Sequence, residues 1–171
     1  NLRRQRQMCI RDRFISIPTH IIDAVYRVAY RLAYPCWQLY LRQFRHRTQG
    51  AQVAVWNRDR VLLIRNSYRQ RYSFPGGYIH GGEHTASAAC RELREETGIS
   101  VPTEHLVFSF AWTYTSGKLV ARDDIYTCKL QTRPALSIDN REVIEARFMS
   151  PDKALGLPLE AHVRHYLTQD H

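Results

Sequence analysis

The chain has 171 residues and is 44% hydrophobic, enough for a packed core, which excludes a chain disordered throughout. Its formal net charge is +9, but residues 1–50 hold ten Arg against two Asp, whereas the other 121 residues carry 15 basic and 14 acidic side chains. The positive field therefore belongs to an N-terminal arm, which is either a solvated basic helix face or a surface for anionic lipid, nucleic acid or phosphorylated ligands.

Residues 7–13, QMCIRDR, read as the in-frame translation of a transposon-end sequencing adaptor, so residues 1–13 are set aside as adaptor-derived or disordered. Residues 14–49 form a basic amphipathic extension, with a helix predicted over 18–44 and Pro18 suited to its first turn. Ile22, Val25, Ala29, Leu32 and Ala33 make a stripe at helical spacing, with Arg27 and Arg31 on another face. That stripe is expected to pack on the domain or on a second subunit, giving a homodimer; the competing reading is a helix lying on a membrane surface. Pro35 predicts a kink or an end near Tyr34, followed by a basic linker up to Gly50.

From Gly50 to His171 the pattern changes to a second unit. AQVAVW (51–56) and VLLIRN (61–66) read as a hairpin, and residues 84–97 as a helix stopped by Gly98. HLVFSFAWTYT (105–115) and LVARDDIYTCKLQT (119–132) read as a second hairpin, and VIEARFM (143–149) as a last strand. A short helix follows Ser150-Pro151, and 159–167 closes the chain as helix. Hairpins with a helix between strands point to the α/β class, a mixed central sheet packed between helices. Cys9, Cys36, Cys90 and Cys128 form no CxxC pair, which argues against a zinc site or disulfide framework and for reduced thiols in a cytoplasmic protein. No signal peptide stands out, and no apolar run of about 18 residues is available to span a membrane.

The chemistry concentrates in FPGGYIHGGEHTASAACRELREETGI, residues 74–99. On a helical wheel Glu92, Glu95 and Glu96 share one face, Arg91 lies beside them, and Ala86, Ala89, Cys90 and Leu93 can face a core. Three neighbouring carboxylates repel, and no Lys at i+4 relieves the last two. A hard divalent cation resolves the repulsion: Mg²⁺ prefers carboxylate oxygen, keeps several waters and usually works with substrate phosphates. The glycine pairs supply carbonyls for a metal and amides for a phosphate.

Gly77, five residues, Glu83, seven residues, then Arg91-Glu92-Leu93-Arg94-Glu95-Glu96-Thr97-Gly98-Ile99 resembles the signature of the Nudix hydrolase superfamily at every specified position. Seven of those positions are single residue types, so a chance match at a given start is on the order of one in several hundred million. The resemblance extends over the strand pattern from Gly50 to His171 and leaves residues 1–49 uncovered. It implies a Nudix-type α/β/α sandwich preceded by an N-terminal amphipathic helix. It also implies Mg²⁺-dependent hydrolysis of a nucleoside diphosphate linked to another moiety, with Mn²⁺ as a substitute metal. By the same analogy Glu95 and Glu96 hold metal, Glu92 is ligand or base, and Arg91 orients the glutamates. Glu83 supports the loop or reaches a metal, and the Gly76 carbonyl is a further ligand. A carboxylate from outside the signature is expected at Glu142, with Glu145, Asp123 and Asp124 as rivals. His80 stands where many members carry Glu, and with His84 it reads as an exposed loop residue.

Substrate contacts are less specific. Arg65, Arg69 and Arg71 precede the glycine loop and can meet phosphates, while Trp112 and Tyr114 can stack a base or belong to a core. Tyr114 matches a position where dinucleoside-polyphosphate hydrolases of the family carry Tyr. No SQPWPFPxS-like stretch of the NADH-pyrophosphatase group follows the signature, the coenzyme A pattern is matched only in part, and Thr113 stands where ADP-ribose hydrolases show proline. His162 and His165 read as a surface pair. The alternative to an enzyme is a Nudix domain used as a ligand sensor or RNA-binding module through its basic arm; intact Glu92, Glu95 and Glu96 favour the enzyme.

Overall fold

The structure, a computed structural model, describes residues 18–44 and 47–169. The adaptor-like segment 1–13 and Cys9 lie outside them. Helix α1 (Thr19–Phe44) is followed by strands β1 (Arg47–Asn57), β2 (Arg60–Asn66) and β3 (Gly76–Tyr78). Helix α2 (Thr85–Thr97) and a 3-10 turn (Thr103–His105) lead to β4 (Val107–Ser116), β5 (Leu119–Leu130) and β6 (Val143–Met149), and helices α3 (Pro151–Leu155) and α4 (Ala161–Leu167) close the chain. One mixed sheet runs β4-β5-β1-β2-β6, with β3 paired to β1; β1 and β5 are parallel and the other pairings antiparallel.

Alternation along β1 explains the layers. Ala51, Val53 and Val55 point to one face, where α2 covers them with Ala88, Ala89 and Leu93. Ala54 points to the other, where Val163, Tyr166 and Leu167 of α4 and Ala154 of α3 pack with Phe74 and Leu63. Both faces of β1 and β2 are thus covered, which is why VAV and VLLI read as continuous apolar runs. Helix α2 ends where Gly98 takes the left-handed conformation (φ 76°) and its amide donates to the Arg94 carbonyl.

The strand pairing makes the site. β1 pairs with β2 only at Trp56/Val61 and Asn57/Arg60, while its other end pairs Gly50, Ala51 and Gln52 with Tyr78, Gly77 and Gly76. Between these ends the two strands splay and segment 67–75 enters the wedge, tied by Val53 N–H to the Pro75 carbonyl (2.9 Å) and Ile64 N–H to the Ser73 carbonyl (2.9 Å).

The structure bears on three local expectations. α1 runs unbroken through Pro35 to Phe44, because contacts on both sides of the proline hold the helix to the domain. β1 starts at Arg47, inside the expected linker, because residues 47–49 complete a parallel ladder with Val120–Arg122. The apolar stripe of α1 does not pack on the domain: Val25 is 64% and Leu32 70% exposed. The face that packs carries Asp23, Tyr26, Arg27, Tyr30, Arg31 and Tyr34, whose rings and donors find partners in two loops, and ends in Leu41, buried with Leu119 and Ala121. Among the described residues no helix is long and apolar enough to cross a membrane.

Leu93 is fully buried under the sheet. Leu93→Ala is expected to cost about 2–5 kcal/mol, read by chemical denaturation, with the glutamate face left intact.

Candidate active site

Helix α2 passes beneath β3, so its carboxylates meet the backbone of the glycine strand. A Cβ on Gly77 would stand 2.7 Å from the Glu92 carboxylate, and one on Gly76 2.6 Å from Cα of Gln52. Gly76 must be glycine because the backbone of β1 approaches it, whereas a side chain at Gly77 would displace the Glu92 carboxylate. The Gly76 amide donates to Glu96 Oε2 at 2.8 Å. The structure thus gives Gly76 an amide role that the sequence reading, which assigned its carbonyl, did not include.

Arg91 organises the carboxylates. Its guanidinium grips Glu83 through Nε (3.1 Å) and Nη2 (3.0 Å), donates from Nη1 to Glu92 (2.7 Å) and Glu95 (3.4 Å), and meets the Tyr78 carbonyl at 3.0 Å. The bidentate bond to Arg91, with the His80 amide, lowers the Glu83 pKa to about 2. His80 and His84 themselves are exposed.

Glu92, Glu95 and Glu96 line a cavity of about 360 Å³ with Gly76, Gly77, Arg69 and Glu142. Glu142 arrives from the loop before β6. There Asp139 Oδ1 accepts from the amides of Arg141 (3.0 Å), Glu142 (3.2 Å) and Val143 (3.2 Å), fixing the turn. The Tyr68 hydroxyl donates to Glu142 Oε1 at 2.8 Å, and burial next to that carboxylate pushes the Tyr68 pKa well up, so it remains a donor.

The rivals of Glu142 point elsewhere. Glu145 pairs with Arg65 (3.0 Å) and Arg147 and accepts from the Tyr72 hydroxyl (2.6 Å). Asp124 pairs with Arg122 at 2.9 Å. Asp123 accepts from Gln52 Nε2 at 3.3 Å, and burial raises its pKa to about 6. Of the residues expected to contact substrate, Arg69 lines the cavity. Arg65 does not, since Glu145 draws it onto the outer side of β2 and β6. Tyr114 is 46% exposed on edge strand β4, outside the cavity lining.

His162 is the clearest correction. It is buried, not on the surface, because α4 presents Val163, Tyr166 and Leu167 to the sheet and turns His162 the same way. Its Nε2 lies 2.8 Å from Gln52 Oε1. Since Gln52 donates to Asp123 through its amide nitrogen, the oxygen is the acceptor and the imidazole carries its proton on Nε2. Burial lowers the His162 pKa to about 4, keeping the ring neutral. His165 is exposed and packs against Phe110 and Trp112. Sequence reasoning also passed over Tyr68, Gln52 and Tyr34, which carry no local signal of a role.

Among the described residues no three Asp, Glu, His or Cys side chains converge on one point. Glu92 turns to Arg91, Glu96 to the Gly76 amide and Glu142 to Tyr68. The donor set nevertheless fits a hard cation, since four carboxylates share one cavity. Glu96, buried and facing Glu92 and Glu142, has its pKa raised to about 8.

The sandwich fold is shared with solved structures. The MutT NUDIX hydrolase from Burkholderia pseudomallei superposes with a TM-score of 0.64 at 20% identity, over 73% of this chain and 98% of that one. The NUDIX domain model matches residues 46–169. The chain therefore belongs to the Nudix hydrolase superfamily. Among curated relatives, NAD-capped RNA hydrolase NudC of Pseudomonas aeruginosa is 27% identical over 146 residues, 77% of this chain and 46% of that protein. ADP-ribose pyrophosphatase of Methanocaldococcus jannaschii is 25% identical over 126 residues, 61% of this chain and 75% of that protein. The chain spans about half the length of the NudC protein it matches.

The raised Glu96 pKa has a definite sign. Between the ordinary value of 4.5 and about 8 the folded chain holds a proton that the unfolded chain has released. Without metal, this contribution to stability is complete below pH 4.5 and is lost as pH rises through 8. In chelator the melting temperature is expected to fall over this window, and Glu96→Gln to flatten the fall; equal slopes in both proteins would remove Glu96 as the cause.

Proposed function

We propose that the chain is a Mg²⁺-dependent pyrophosphohydrolase that cleaves the phosphoanhydride of a nucleoside diphosphate linked to another moiety, by attack of water on phosphorus. The observation that carries this reading is the meeting of Glu92, Glu95 and Glu96 from α2 with Glu142 from a distant loop in one cavity beside the glycine strand. The family supports the reaction class, and the names of the NudC and ADP-ribose pyrophosphatase relatives support a nucleotide-linked substrate.

Glu92, Glu95, Glu96 and Glu142 would hold the cation, which supplies Lewis-acid polarisation of a phosphoryl oxygen and a more acidic water. Mn²⁺ offers the same hard, octahedral oxygen chemistry. Arg91 keeps Glu92 and Glu95 aligned, and its grip on Glu83 fixes the loop after β3. Glu92, tight against Gly77, is the candidate to take the proton of the attacking water; burial raises its pKa, which favours that role. The new bond joins water oxygen to phosphorus, the bridging oxygen leaves with the other phosphate, and two phosphate-terminated products result. The Gly76 carbonyl and Glu83 remain further candidates for cation contact.

The test is phosphate or nucleotide release from a panel that includes ADP-ribose, NAD and dinucleoside polyphosphates, with Mg²⁺ and with Mn²⁺. Glu95→Gln and Glu96→Gln are each expected to fold normally and to lower turnover about 100-fold or more, the equivalent of several kcal/mol of transition-state stabilisation. Normal rates in either variant would sink the metal assignment. If wild type and Glu95→Gln were equally inactive while ADP-ribose still bound, the chain would be a binding module.

A further inference from the structure

The family match begins at residue 46 and leaves out α1, yet α1 packs on the loops that bring Tyr68, Arg69 and Glu142 to the cavity. Its inner face reaches two loops that form the cavity wall. On the loop before β6, Asp23 accepts from Arg141 Nε (2.8 Å), Tyr26 lies under the Arg141 guanidinium (4.8 Å to the ring centre), and Arg27 donates to the Asn140 carbonyl (2.6 Å). On the loop after β2, Arg31 donates to the Ser67 carbonyl (2.9 Å) and Tyr34 stacks on Tyr68 (4.5 Å between centres, 30°). The two loops join each other through the Ser67 amide and the Glu142 carbonyl at 2.7 Å.

Arg69 stands where these elements meet. Its guanidinium lies 5.4 Å from the Tyr34 ring centre and 5.8 Å from that of Tyr68, and it lines the cavity opposite an acidic helix face. Among the described residues no carboxylate forms an ion pair with it. Its Nε is buried and has no hydrogen-bond acceptor among protein atoms. The desolvated guanidinium has no direct ion pair; a hydrogen bond with the Tyr34 side chain and the more distant charges of Glu160 and Asp123 hold it cationic. Planar paired donors of this kind suit a phosphate, which they bind in two-point fashion.

We propose that α1 braces the cavity wall from behind, and that Arg69, held beside the stacked Tyr34 and Tyr68 rings, is the contact for a phosphate of the substrate that the glutamate-bound cation does not hold. This rests on the reading of the site as a diphosphate hydrolase. It makes Tyr34 a positioning residue, acting on substrate through Arg69. It also gives the extension outside the family domain a role in binding.

The test uses the full chain with Mg²⁺ and two probes, ADP and inorganic pyrophosphate, titrated by calorimetry. Arg69→Met keeps the aliphatic stem and removes the donors; it is expected to weaken both probes tenfold or more, the size of one charge-assisted hydrogen bond, with Arg69→Lys recovering part of the loss. Tyr34→Ala removes no charge and is expected to weaken both comparably, Tyr34→Phe, which keeps the ring but loses the hydroxyl that bonds Arg69, to weaken them less than Tyr34→Ala, and Leu32→Ser on the outer face to change nothing. Unchanged affinity in Arg69→Met would overturn the phosphate contact, and unchanged affinity in Tyr34→Ala would overturn the role of α1. Where Tyr34→Ala also lowers the melting temperature, the double variant decides: no loss beyond that of Arg69→Met supports the proposal, and additive losses refute it. Binding that persists in a chain that hydrolyses nothing on the panel would count against the hydrolase reading alone.

Discussion

Arg91 resolves the conflict on which the site is built. Helical spacing forces Glu92, Glu95 and Glu96 together, and partial burial of Glu92 and Glu96 under β3 removes much of the water that would screen them, while Glu95 stays exposed. One guanidinium cannot neutralise three carboxylates, and this one is shared with Glu83. It reaches Glu92 and Glu95 and leaves Glu96 to a backbone amide. The remaining imbalance falls on Glu96, where the pKa is pushed furthest up. A site with an uncompensated buried carboxylate at one end and cation-compensated ones at the other is prepared for a positive ligand at the uncompensated end.

The sheet topology makes room for that imbalance. Had β1 and β2 paired along their whole length, the hairpin would be an unbroken ladder and α2 would pack on closed sheet. Their divergence after Val61 admits segment 67–75, whose end becomes β3. Gly76 and Gly77 then bring backbone to the carboxylates at distances no side chain would allow. The same segment carries Tyr68 and Arg69 to the far wall, so one insertion supplies both sides of the cavity.

Much of this was legible in the sequence where the signal is local. The period-2 run VIEARFM gives β6 its full extent, Gly98 stops α2, and the wheel places the three glutamates on one face. What could not be read depends on partners distant in the chain. The three residues of β3 are too few to show a period, and only Gly50–Gln52 opposite make them a strand. Arg65 and Arg69 have the same side chain four residues apart; Glu145, 80 positions away, claims the first, and nothing in the local sequence distinguishes them. His162 looked exposed because it lies on a C-terminal helix with no acidic residue nearby in sequence, but its partner is Gln52, across the sandwich. Pro35 was expected to kink α1 or end it near Tyr34; the helix does not end there, because tertiary contacts on both sides of the proline outweigh the local cost.

The arm shows the limit of arguing from charge totals. Five of its ten arginines lie in residues 1–13, outside the described structure. Two more, Arg27 and Arg31, donate to loop carbonyls of the domain. An arginine bonded to a carbonyl keeps its charge, but its fixed geometry serves the loop and not a diffuse anionic surface. Composition left open a solvated basic face or a surface for an anionic partner, and the inner face of α1 shows a third use of arginine, bonding to loops that carry cavity-lining residues. The aromatic content of the helix, compatible with a membrane interface when read alone, follows the same division: Tyr30 and Tyr34 lie against Tyr68, while Val25, Leu32 and Phe44 stand outward. The side of an amphipathic helix that is apolar need not be the side that packs, because stacked rings and buried donors can bind a helix as firmly as a leucine stripe once the facing loops offer carbonyls and aromatic faces.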